Sequence, residues 1–298
     1  MLDEEFYSNI RREINLPINT RDDLQYATVK INTVDSNGRK GSGTGFIVNF
    51  YENEIDGKYL SVPSIITNKH VIEGAINGLV RFHASSYEGS LAGQCEFNVD
   101  NFEKQFYLHP DKDVDLCAMP MAPLFALSSK DKIKPYYKSL SMKQVMNEAD
   151  FQHLSPTQEI FAVGYPNGFW DEVNNLPIFR KGIIGTVPSV NYMGKQNFLI
   201  DCGIYPGSSG SPVLTVVPKL NSKTGEIFED ISLAGIVFAT HQHNAQGKLI
   251  IENIPVNSVH TWIPNHLGIV IKSSRLFELN EIIKKAYKDT PVFDITKK

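Results

Sequence analysis

Cysteine is scarce in this chain: Cys95, Cys117 and Cys202 are odd in number, far apart and without a CxxC pair. That excludes a disulfide framework and a zinc site of the usual spacing, and suits a reducing cytoplasm. No run of about 18 apolar residues occurs, so no membrane-spanning helix is expected. The opening Met1-Leu2-Asp3-Glu4-Glu5-Phe6-Tyr7-Ser8 lacks the basic start and apolar stretch of a secretory signal, and a cytoplasmic location is expected. Neither sign of charge dominates: 29 basic residues face 33 acidic ones for a net charge of -4. Nucleic acid and anionic membrane are therefore not expected partners. Repeats, low-complexity tracts and a long linker are absent too. What remains is 298 residues, 42% of them hydrophobic, enough for one two-lobed unit or two small domains.

Phe6, Ile10 and Ile14 recur every fourth position among charges, which predicts a short amphipathic helix from Leu2 to Ile14, ending before Pro17. From Tyr26 the pattern turns to short β-branched and aromatic runs cut by Gly, Asn, Asp and Pro, such as Ala27 to Ile31, Gly45 to Val48 and Ser64 to Thr67. These read as strands and hairpins. A second set includes Glu159 to Val163, Gly182 to Val187, Phe198 to Ile200, Pro212 to Val216 and Ser232 to Val237. Two β-rich lobes in sequence follow, with expected divisions at 1–25 (helical extension), 26–150 (first lobe), 151–265 (second lobe) and 266–298 (helical tail). The tail helix is expected over Ser274 to Tyr287, with lysines near its end.

Three segments carry chemistry. A serine hydroxyl is a poor nucleophile, so acyl transfer needs a base for its proton and donors for the oxyanion. In Gly207-Ser208-Ser209-Gly210-Ser211-Pro212 small residues permit a sharp turn in which the Gly207 and Ser209 amides converge beside the Ser209 hydroxyl. Alone such a run reads as a loop, but strand-like segments flank it on both sides. In Ser64-Ile65-Ile66-Thr67-Asn68-Lys69-His70 an apolar strand delivers an imidazole to its end. In Asp113-Val114-Asp115-Leu116-Cys117-Ala118 an acid heads another strand, with Asp115 preferred over Asp113 because Leu116 and Ala118 continue the strand from it.

Together these segments resemble the trypsin-like serine peptidases. Thr67-Asn68-Lys69-His70-Val71 is similar to their Thr-x-x-His-Val block, Asp115-Leu116 to their Asp-[Ile/Leu] strand, and Gly207-x-Ser209-Gly210 to Gly-x-Ser-Gly. The order His, Asp, Ser is that of chymotrypsin. Gly41-Ser42-Gly43-Thr44-Gly45-Phe46, the approach Asp201-Cys202-Gly203-Ile204-Tyr205-Pro206 and the run Asn253-Ile254-Pro255-Val256 resemble the HtrA-like and glutamyl-endopeptidase-like bacterial branch. The tail is too short for a PDZ-like domain. The resemblance implies an all-β fold of two antiparallel six-stranded barrels with short terminal helices, a catalytic set of His70, Asp115 and Ser209, and an oxyanion hole at Gly207 and Ser209. Ser208 stands where trypsin-type zymogens carry an aspartate, so activation by N-terminal cleavage is not expected.

The resemblance also places the S1 substrate pocket, with a floor near Gly203 and Ile204 and a wall of Phe238, Ala239 and Thr240. No acid occurs there, so an uncharged residue on the N-terminal side of the cut bond is expected rather than Arg or Lys. No cofactor or metal is expected. His241 and His243 share a strand face but lack a third ligand, and the run from Asp111 fails the calcium-loop pattern at Leu116. The expected partners are a protein or peptide substrate and a regulatory protein meeting the terminal helices. The alternative from another class is a catalytically silent fold serving as a binding module. An esterase or amidase using the same three residues is a further reading.

Overall fold

Successive side chains of a strand face opposite sides of its sheet, and this chain uses the alternation to build three cores from two sheets. In the strand carrying Phe46, Ile47 and Val48, Ile47 points into a core that includes Val29, Ile31, Ile65, Val80 and Phe82. Phe46 and Val48 point the other way, into a core shared with the second sheet. Val237 and Ile236 divide likewise between the interior of the second sheet and the shared core.

The structure, a computed structural model, describes residues 12–13, 18–55, 58–86, 91–128, 133–247, 250–251, 254–255 and 259–288; side chains over 241–264 and at the margins of the gaps are not described. The first sheet contains β1 (Thr28–Asp35), β2 (Lys40–Ile55), β3 (Lys58–Thr67), β4 (Ala75–Ser86), β5 (Leu91–Asp100), β6 (Tyr107–Leu108) and β7 (Cys117–Pro120). They run in the order β5-β4-β1-β2-β3-β7-β6, and three short segments at its sides bring the sheet to ten strands. The second sheet contains β8 (Glu159–Gly164), β9 (Ile178–Ile184), β10 (Asn197–Asp201), β11 (Pro212–Leu220), β12 (Ile227–Gly247) and β13 (Val259–Lys272), closed into a barrel in the order β8-β9-β10-β13-β12-β11. The expected all-β, two-sheet, chymotrypsin-like class holds. The number six is met by the closed barrel, whereas the first sheet has ten strands and does not close among the described residues.

Two boundaries differ from expectation. Of the helix expected over Leu2 to Ile14, residues 2–11 and 14 lie outside the described residues. Arg12–Glu13 are extended and pair antiparallel with Ser61 and Leu60 of β3. β13 runs through position 265 to Lys272, because Phe198, Leu199 and Ile200 of β10 pair with Val270, Ile269 and Gly268.

After two short helices, α1 (Lys69–Ile72) and α2 (Ala122–Ser128), the tail helix, α3 (Leu276–Tyr287), follows a 3-10 turn over Ser273–Arg275. Its Leu276, Leu279 and Ile283, at spacings of three and four, are wholly buried in the shared core. Twelve residues make a marginal helix in water, but burying three such side chains contributes about 2 kcal/mol each. The helix therefore locks the two sheets together, and its apolar stripe is not free for a regulatory partner. Among the described residues no helix is long and apolar enough to cross a membrane.

Candidate active site

β3 ends at Thr67, Asn68 adopts the extended conformation that starts a helix, and a single helical turn, α1 (Lys69–Ile72), follows. Val71 and Ile72 are buried, and this turns His70 outward. The loop from β6 to β7 brings Asp115 beneath it. His70 Nδ1 lies 2.5 Å from Asp115 Oδ2, and the His70 amide donates to Asp115 Oδ1 at 3.0 Å. Asn68 fixes the same loop by donating its side-chain amide to the Asp115 carbonyl at 2.7 Å. Asp113 is exposed, and its amide donates to Asp111 Oδ1 at 3.0 Å. Asp115 is thus the acid that meets the imidazole.

Burial alone would raise the Asp115 pKa. Hydrogen bonds from the His70 ring and from the His70 and Lys69 amides, with the charge of the ring, outweigh it and hold the carboxyl below its usual range. A carboxylate in this position accepts a hydrogen bond from Nδ1–H, which favours the tautomer whose Nε2 lone pair faces outward as the acceptor.

Ser209 lies on the connection between β10 and β11. Gly207 and Gly210 have φ of +87° and +86°, values that disfavour any side chain. Within this turn the Ser208 amide donates to the Tyr205 carbonyl at 2.9 Å, the Gly210 amide to the Val237 carbonyl at 2.9 Å and the Ser211 amide to the Ser208 carbonyl at 3.0 Å. Among the described residues the Gly207 and Ser209 amides have no acceptor. The Pro206 carbonyl receives the Asn167 amide at 2.5 Å. In a trans peptide C=O and N–H point in opposite directions, so this clamp turns the Gly207 N–H away from Asn167.

Thr44 of β2 joins the halves. Its amide donates to the Ser209 carbonyl at 2.9 Å. Its hydroxyl donates to the Gly207 carbonyl at 2.9 Å and accepts the Tyr165 amide at 3.1 Å. The Thr44 carbonyl accepts the Thr67 hydroxyl, three residues before His70, at 2.8 Å. No hydrogen bond links the Ser209 hydroxyl to His70 among the described residues, as is common in free enzymes whose catalytic bonds shorten with substrate.

The expected S1 residues do not all face one pocket. Ile204 is buried inside the second barrel. Phe238 sits where the β12–β13 register skips between Val237 and Ala239, and such a bulge re-aims its side chain. Phe238 packs on the shared core and lines a cavity of about 560 Å³ with Asp115, Val114, Tyr192 and Arg275. Gly203, Ala239 and Thr240 are partly exposed, the Thr240 hydroxyl donating to the Leu267 carbonyl at 3.1 Å.

Sequence reading missed Thr44 and Asn167, and it missed Arg180, which packs against Gly203. The side chains of His241 and His243 lie outside those described. Among the described residues no three potential metal ligands cluster. Cys95, Cys117 and Cys202 are free thiols; burial raises all three pKa values, that of Cys95 to about 12.

Among solved structures the chain is similar to the HtrA-type protease AlgW with tripeptide, at 16% identity and a TM-score of 0.45, over 88% of this chain and 62% of that one. It is similar to a serine endoprotease from Yersinia pestis at 17% identity and a TM-score of 0.42, over 88% and 64%. A third is an inactive mutant form of Rv3671c from M. tuberculosis, at 13% identity and a TM-score of 0.43, over 91% and 98%. The chain thus spans less than two thirds of the first two. No curated protein sequence matches it. The sequence profile of the trypsin-like peptidase domain matches residues 43–217, more than half the chain, and the chain belongs to that peptidase family.

Proposed function

We propose that the protein is a serine endopeptidase working through an acyl-enzyme, with His70, Asp115 and Ser209 as its catalytic set. Ser209 Oγ attacks the carbonyl carbon of the scissile bond while His70 Nε2 takes its proton. The negative charge that develops on the carbonyl oxygen is met by the Gly207 and Ser209 amides. His70 then gives the proton to the leaving amine, and water, activated by the same nitrogen, releases the acyl group and restores Ser209. Asp115 stays ionised throughout, holding the tautomer and stabilising the imidazolium.

The observation carrying this reading is the pairing of His70 Nδ1 with Asp115 at 2.5 Å beside a serine turn tied to the same strand through Thr44. A binding module would need neither this pairing nor two unpaired amides in the turn. Peptides or proteins are the substrates proposed. Three free thiols suit a reducing compartment such as the cytoplasm.

A fluorophosphonate probe tests the reading. Folded wild-type protein is expected to be labelled at Ser209 and to cleave a peptide library, and Ser209→Ala to do neither. Labelling that persists in Ser209→Ala, or a folded wild type that neither labels nor cleaves, would overturn it.

A further inference from the structure

Asp115 is delivered by a loop that runs from His109 to Leu116, between β6 and β7. The His109 amide closes this loop by donating to the Leu116 carbonyl at 2.9 Å. Asp111, Asp113, Val114 and Asp115 border the cavity of about 560 Å³ that Phe238 also lines, so on that side the loop faces open space rather than packed side chains. Hydrogen bonds hold it, and they converge on Asp111. The Asp111 amide donates to His109 Nδ1 at 3.1 Å. Its carbonyl accepts Lys69 Nζ at 2.9 Å and the Val114 amide at 3.3 Å. Its Oδ1 accepts the Asp113 amide at 3.0 Å, which leaves Oδ2 for Nη2 of Arg275, at 3.1 Å.

Arg275 stands where α3 begins, and its other contacts tie it to fixed elements. Nη1 donates to Gln196 Oε1, just ahead of β10, at 3.0 Å and lies 3.1 Å from Glu278 Oε1, one turn along α3. The Arg275 side chain is 15% exposed, that of Asp111 48%. An ion pair so open to water contributes little to stability. Its consequence lies in position. His109 completes the anchorage: its side chain is wholly buried, with Nε2 3.8 Å from Glu278 Oε2, and only a neutral ring can accept the Asp111 N–H at Nδ1. Burial, with Arg275 nearby, pushes the His109 pKa down and keeps the ring neutral.

We infer that Arg275 and Asp111 are positioning residues for the catalytic acid: α3, through their ion pair, holds the loop that sets Asp115 against His70. This rests on the reading of His70, Asp115 and Ser209 as the catalytic set. Both residues act through Asp115. Without the bond from Arg275 the loop is free to move towards the cavity and draw the carboxylate away from Nδ1. A displacement of that kind costs on the order of 10²-fold in rate for each ångström. The loss falls on kcat, because the step affected is proton transfer and not substrate binding.

The test follows kcat, KM and thermal unfolding on one cleaved peptide for Asp111→Asn, Arg275→Gln, Arg275→Lys and the double variant Asp111→Asn with Arg275→Gln. Asp111→Asn keeps the backbone bonds and an oxygen for the Asp113 amide but removes the charge that Arg275 meets. Asp111→Asn and Arg275→Gln are each expected to lower kcat roughly 10- to 100-fold with KM within about twofold of wild type. The double variant should lose no more than the worse single one, because both break the same bond. Arg275→Lys should recover part of kcat. In an Asp115→Asn background, where the carboxylate no longer acts, Arg275→Gln should lower kcat further by less than about twofold. A general loss of packing would act equally in both backgrounds. Should Arg275→Gln fail to fold, Asp111→Asn decides, alone and with Asp115→Asn. A kcat within about twofold of wild type in both single variants, or an equal loss in the Asp115→Asn background, overturns the positioning inference alone. A folded wild type that neither labels with the fluorophosphonate probe nor cleaves overturns the peptidase reading and this inference with it.

Discussion

The two halves of the candidate site are built by different means. The His70–Asp115 half is a side-chain construction: imidazole on carboxylate at 2.5 Å, and the Asn68 amide on the Asp115 carbonyl at 2.7 Å. The Ser209 half is a backbone construction, two glycines at positive φ and a set of main-chain bonds leaving the Gly207 and Ser209 amides open. A side-chain construction is sensitive to what an atom is, since exchanging oxygen for nitrogen reverses a hydrogen bond. A backbone construction is sensitive to where an atom is, since any added Cβ displaces the chain. The halves should therefore fail under different substitutions.

The largest effect is expected from Asp115→Asn. The replacement is isosteric but can present a donor to Nδ1, which selects the tautomer with Nε2 protonated and unable to accept the Ser209 proton. Turnover should fall on the order of 10⁴-fold, as in comparable triads, with KM little changed and the fold intact. The same residue gives a pH signature. The folded-state pKa of Asp115 is depressed, so its stabilising contribution is full above the unfolded-state value of about 4 and is lost as pH falls through the lower folded value. In urea titrations wild type should lose more stability than Asp115→Asn on acidification below about pH 4. Equal acid sensitivity would mean that the carboxylate is not held as described.

The corresponding break in the other half is Gly207→Ala. Its Cβ would stand 2.6 Å from the Tyr165 carbonyl oxygen and 3.3 Å from the Asn167 nitrogen, both backbone atoms that cannot swing aside. The turn must shift, taking the Gly207 amide with it. A fall in kcat of roughly 10²- to 10³-fold is expected, the range for loss of one oxyanion donor. Circular dichroism should remain that of the folded protein. Near-normal kcat in this variant would dissolve the contrast between the halves.

The difference also explains what was legible in the sequence. His70, Asp115 and Ser209 each left a local trace: a strand running into an imidazole, an acid heading a strand, a serine among glycines. The expected order of sheets followed from periodicity, and the buried positions of α3 from spacings of three and four. The sequence did not show which contacts would join segments far apart along the chain. The bulge that turns Phe238 towards Asp115 is one unpaired residue in a regular β-branched run. Arg180 reads as an ordinary strand residue in Ile178-Phe179-Arg180-Lys181, and only closure of the barrel sets it against Gly203.

Thr44 belongs to both halves and gives the smallest and most discriminating test. Its hydroxyl is buried, donates to the Gly207 carbonyl at 2.9 Å and accepts the Tyr165 amide at 3.1 Å. Thr44→Val keeps the shape and the main-chain bond from the Thr44 amide to Ser209, while leaving one buried carbonyl and one buried N–H without that partner. Each orphaned group costs about 1–3 kcal/mol, so the denaturation midpoint should fall. If the hydroxyl also sets the orientation of the Gly207 turn, kcat should drop about tenfold, a loss of roughly 1.4 kcal/mol in transition-state stabilisation. Thr44→Ser, which retains the hydroxyl and loses a methyl, should recover most of kcat even where it recovers little stability. A kcat that follows stability through both variants would reduce Thr44 to a packing residue, whereas recovery of kcat with Ser would make it the joint through which the first sheet positions the serine turn.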